Sequence, residues 1–97
     1  MGFFNDFRNI GKINTLLKQI EPKVDAIYYE TNSTYPNVSR IKMEAATIAV
    51  LMNEVLEIAN ASGNSVKLAS YYFHGRKASL QQISAVLVQL VEMTQIL

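Results

Sequence analysis

The chain has 97 residues, 49% hydrophobic and 18% charged, with nine Lys and Arg against eight Asp and Glu and no cysteine. That length makes one domain, residues 1–97, with a single thin core. The balanced charge excludes a global pull towards nucleic acid or an anionic membrane, and the lack of cysteine excludes a disulfide framework or a thiolate metal site.

Soluble domains are about 25% charged, so this chain is short of solubilising charge and rich in apolar surface. The excess predicts an apolar patch closed by a second copy or by another protein. Met1–Asp6 has neither the basic start nor the unbroken apolar run of a secretion signal, and Asp6 breaks the myristoylation pattern. No apolar run approaches the ~18 residues of a membrane-spanning helix. The expected compartment is therefore the cytoplasm.

From Phe3 to about Glu30, Ile10, Ile13, Leu17, Ile20, Val24 and Ile27 recur at alternating spacings of three and four. This predicts a helix with one apolar seam. Pro22 lies inside the seam without disturbing its phase, which fits either one kinked helix or two abutting helices. Thr31–Asn37 has the Asn, Ser, Thr and Pro of a loop.

A second helix is expected from Ser39 to about Ala61, with Ser39 as its N-cap and a Val38–Met43 hydrophobic staple. Gly63 suits a left-handed cap at its end. Its seam is Ile41, Ala45, Ile48, Met52, Val55 and Ala59. Its middle, Ala45–Met52, is apolar all round, so Val50 and Leu51 fall opposite the seam. A helix apolar all round is buried on several sides, which makes this the central helix.

After Ser62–Ser65 the apolar pattern resumes at Val66 and runs to Leu97. A single helix of that span would be about 50 Å long and would overhang a small domain. Gly75 and the capping box Ser79-x-x-Gln82 predict a break at Gly75–Ala78 and a new helix from Ser79. Val66–Phe73 also has the β-branched and aromatic residues of a strand, but no partner strand is evident.

Three groups of residues are candidate sites. Val50, Leu51, Leu87 and Leu90 form a candidate interaction face. Phe3, Phe4, Phe7 and Ile10 form an apolar patch that fits a membrane interface, although the same face also fits bundle packing. Ser39, Arg40 and Lys42 at a helix start, with Lys67, His74, Arg76 and Lys77 among aromatic residues, form a candidate anion site. The plain alternative for the last group is a solvated helix face, with Arg40 paired to Glu44.

No nucleophile, base and orienting group can be assembled into an enzyme site, and the lone His74 has no carboxylate near it in sequence. Glu54 and Glu57 lack the histidines of a di-metal bundle, so no metal or cofactor is expected. The fold expected is all-α: a small antiparallel bundle of three long helical segments, broken into four or five helices. The function expected is a non-enzymatic interaction or self-associating module, with a homo-oligomer, dimer favoured, or a protein partner. A membrane-surface role through the first helix and phosphate or nucleic-acid binding through Lys67–Lys77 are the alternatives, nucleic acid being the less favoured partner.

Overall fold

A computed structural model describes residues 2–97, with side chains from residue 5 onward. The order is α1 (Gly2–Thr31), α2 (Val38–Asn60), α3 (Asn64–Lys67), β1 (Ser70–Phe73), β2 (Arg76–Ser79) and α4 (Leu80–Gln95). The chain is mostly helical, as the periodicity predicts, but it also contains a two-stranded antiparallel hairpin.

α1 is one helix with Pro22 inside it. At 1.5 Å per residue it runs about 45 Å and sets the long axis of a molecule measuring 52 × 22 × 17 Å. Its seam is buried from Ile13 through Leu17, Ile20, Val24 and Ile27. Pro22 deprives the Lys18 carbonyl of its helical donor, but both residues are exposed, so water can serve that carbonyl. Seam burial on either side holds the helix through the proline.

The composition of the first loop follows from the end of α1, where the last carbonyls need donors. Asn32 Nδ2 and Thr31 Oγ1 both donate to the Tyr28 carbonyl, and Ser33 Oγ donates to that of Glu30. Glu30 continues the apolar seam by three residues and is itself buried. Its carboxylate accepts the Asn37 N–H at 3.0 Å and Arg40 Nη1 at 3.1 Å, clamping the turn between α1 and α2.

α2 returns antiparallel along α1. Lys23 meets Glu44 at 3.6 Å, and further down Asn9 Nδ2 donates to Ser62 Oγ at 2.8 Å. Asn37, rather than Ser39, is the N-cap, and its side chain accepts the Arg40 N–H. Val38 and Met43 are both exposed, so no buried staple forms. Gly63 is extended, with φ −79° and ψ 179°, and opens α3 instead of closing α2 with a left-handed cap.

The segment after α3 is the main departure from an all-α bundle. Ser70–Phe73 finds its partner in Arg76–Ser79, with Tyr71 opposite Ala78 and Phe73 opposite Arg76. The two turn residues, His74 at φ 51° and Gly75 at φ 77°, both lie in the left-handed region. Two consecutive positive φ values suit a two-residue hairpin because their twist matches that of the strands. Gly75 therefore turns a hairpin and does not end a helix.

Tyr71 is fully buried and its hydroxyl donates to the Val66 carbonyl at 2.8 Å. α4 then starts at the predicted place. Ser79 Oγ accepts the Gln82 N–H, and the Gln82 side chain accepts the Ser79 N–H. α4 packs on α2 and on the hairpin, and the hairpin packs on α1. Ile13, Leu17, Ile48, Val55, Tyr71 and Leu87 are among the side chains that fill the shared core.

Candidate interaction face

The two flanks of α2 are built differently. Ile41, Ile48 and Val55 are buried in the core cluster that α2 shares with the isoleucines and leucines of the α1 seam, and Ile48 also borders α4. Towards α4, α2 presents Ala45, Ala46 and Ala49, and α4 answers with Ser84, Val88 and Val91. The alanines of α2 and Ser84 of α4 leave an open trough between the helices. One section, of about 210 Å³, is lined by Ala49, Met52, Leu56, Leu87, Val88 and Val91 among others.

A second section shares Ala49 and Val91 and reaches Lys42 and Gln95. A third shares Leu56 and Ser84 and reaches Asn60, Gln81 and Lys67. The trough thus follows α2 and α4 along most of their length. It is open to solvent along its length, unlike the concave sites that enclose small ligands. Its shape matches the ridge of a helix better than a small molecule.

The surface around it is short of charge. α4 carries one charged side chain, Glu92. Val50 is 60% exposed, Val88 49% and Ile96 86%. Ala46, Ala49 and Asn53 are exposed beside them on α2.

The charges on α2 also run against its own dipole. No acid lies in the first turn and no base in the last. Cations are disfavoured near a helix N-terminus and anions near its C-terminus. Arg40 is compensated by Glu30. Lys42 has no ion-pair partner among the described residues, and at the other end Glu57 accepts only from Asn53 Nδ2, at 3.2 Å.

Of the four residues predicted for an interaction face, Val50 is at the surface and Leu51 is half-buried against the core. Leu87 and Leu90 are buried, because their seam is used by this chain's own packing of α4. The surface residues that belong with Val50 are Ala49 and Val88. Their signal in the sequence was weak, since alanines on a helix flank look neutral until the facing helix is known.

The predicted anion site is dispersed. Ser39 is exposed in the first turn of α2, and Arg40 is held by Glu30 instead of the expected Glu44. Lys67 belongs to α3, and Arg76 and Lys77 to β2, so the shared helix face for Lys67, Tyr71 and His74 does not exist. His74 is engaged by acids: its N–H donates to Glu21 Oε2 at 2.8 Å, and its Nε2 lies 2.9 Å from Asp25 Oδ1. The Phe73 ring meets the imidazole edge-on at 4.7 Å.

Glu21 and Asp25 sit one turn apart on α1, which explains how a non-glycine residue is held at positive φ. The two carboxylates fasten the hairpin tip. Sequence reading missed this pair because the histidine and Asp25 are 49 positions apart. Tyr71 has its pKa raised by burial of the phenol.

Of the predicted membrane patch, the side chains of Phe3 and Phe4 lie outside the described residues. Phe7 is exposed, and Ile10 is half-buried against the core. Among the described residues, no helix is long and apolar enough to cross a membrane. No protein-family model, curated protein or solved structure matches the chain.

Proposed function

We propose that the protein is a non-enzymatic interaction module that uses the α2–α4 trough to receive an apolar helical surface of another protein molecule. The observation that carries this reading is the open trough between α2 and α4, apolar in its middle section at Ala49, Met52, Leu56, Leu87, Val88 and Val91 and served by a helix with one charged residue. A surface of this kind in so small a domain is costly in water unless it is covered part of the time.

The test is a paired substitution, Ala49→Asp with Val88→Asp, at exposed positions. Circular dichroism is expected to show an unchanged helix content. Wild-type protein is expected either to self-associate or, as a monomer, to enhance the fluorescence of an apolar dye, and the pair is expected to abolish whichever is seen. A wild type that is monomeric and binds no more dye than the variant overturns the reading.

A further inference from the structure

The exposed stripe on α2 is self-complementary when the helix is turned end for end. Lys42, Ala46, Ala49, Val50, Asn53 and Glu57 are all exposed and follow one another at helical spacing. An antiparallel copy of the same stripe, centred between Ala49 and Val50, sets residue 42 opposite 57, 46 opposite 53 and 49 opposite 50. The uncompensated cation at one end then meets the uncompensated anion at the other, twice by symmetry.

Within one chain the C-terminal turn of α4 already lies beside Lys42, at Thr94 and Gln95, and the pairing adds a carboxylate to that cation. In an antiparallel pair, each N-terminal lysine lies beside the C-terminal end of the partner helix, where a cation is favoured. Ala46, Ala49 and Val50 are small enough for close approach at the centre. Asn53, tied to Glu57, faces Ala46 and holds the glutamate on the contacting side. A polar residue within an apolar helix contact is a known way of fixing register.

Resting on the reading of the α2–α4 surface as the interaction face, we propose that its partner is a second copy of this chain. The two α2 helices pair antiparallel about a two-fold axis level with Ala49 and Val50, and Lys42 of each copy meets Glu57 of the other. Because α4 runs antiparallel beside α2, the same axis lays α4 against the partner's α4, adding Val88 to the contact. The 23 residues of α2 span about 34 Å, and two helices about 10 Å apart give a patch of roughly 700 Å². A stable dimer of standard size buries about 800 Å² per partner.

Charge reversal at the two ends tests both partner and register. Lys42→Glu and Glu57→Lys each improve the match of α2 to its dipole, so neither is expected to unfold the chain. In sedimentation equilibrium, each variant alone is expected to dimerise on the order of 100-fold more weakly than wild type, because two like-charge contacts replace two attractive ones. A 1:1 mixture of the two variants restores both contacts and is expected to recover the wild-type dissociation constant within about threefold.

A dimer indifferent to either reversal overturns the register. So does a mixture much tighter than wild type, since that would place like ends together. A monomeric wild type whose dye binding is lost in the Ala49→Asp, Val88→Asp pair overturns the second copy as partner while leaving the interaction face standing.

Discussion

The two flanks of α2 solve opposite problems. Facing α1, the helix buries branched side chains completely and is fastened by Glu30–Arg40 at the top, Lys23–Glu44 below it and Asn9–Ser62 at the base. Facing α4, it sets Ala45, Ala46 and Ala49 beside Met52 and Leu56, no ion pair links α2 to α4 among the described residues, and the facing surface stays open. One flank spends its apolar surface within the chain. The other leaves it available, and the difference comes from side-chain size at otherwise equivalent helical positions. An apolar helix middle therefore does not by itself mean a fully enclosed helix.

That contrast fails if substitutions on the two flanks cost the same. Leu17→Ala, in the α1 seam, is expected to destabilise the fold by about 2–5 kcal/mol in urea titration, because the fully buried site cannot collapse around the lost methyls. Val50→Ser, on the open surface, is expected to change monomer stability by no more than about 0.5 kcal/mol. Equal costs would show that Val50 is buried by the chain itself.

Pro22→Ala sharpens the picture of α1 as a helix held by its seam. Restoring the N–H to the Lys18 carbonyl is expected to stabilise the protein by about 1–3 kcal/mol, read as a higher thermal midpoint. A loss of stability would mean that the proline sets a needed bend.

The hairpin side of the core is tested by pH. Burial raises the Tyr71 pKa, so the folded state holds the phenolic proton more tightly than the unfolded chain does. That contribution is complete below the unfolded value of about 10 and is lost as pH rises through the higher folded value. Tyr71→Phe is expected to cost about 1–2 kcal/mol at neutral pH, through the unpaired Val66 carbonyl, and to flatten this alkaline loss in pH-dependent melts. An alkaline loss as steep in the variant as in wild type would assign it to other groups.

Much of the helical frame was legible because it rests on local rules. The spacing from Ile13 to Ile27 marks α1, the Asn-Ser-Thr-Pro cluster marks its end, and Ser79-x-x-Gln82 marks the start of α4. The hairpin was not, because its turn is His74-Gly75 rather than the Asn-Gly or Asp-Gly pair that announces such turns. The four-residue stretches on either side of an X-Gly pair were the available signal. The imidazole in that turn is steadied by Asp25 and the backbone by Glu21, contacts far away in sequence. The trough was illegible for a different reason: it depends on which residues of α4, Val88, Val91 and Thr94 among them, come to face Ala45 and Ala49. Lys42 was legible as a cation near a helix start and Glu57 only as an acid later in the same helix; that both are exposed on one stripe with Ala46, Ala49 and Val50 was not.

The most direct test of the open flank as an interface between two copies of the chain is the thermal midpoint measured across a range of protein concentration. Association of folded chains through this surface raises the midpoint as concentration rises. A rising midpoint is expected for wild type and a constant one for the Ala49→Asp, Val88→Asp variant. A midpoint independent of concentration in both, or rising equally in both, would contradict that interface.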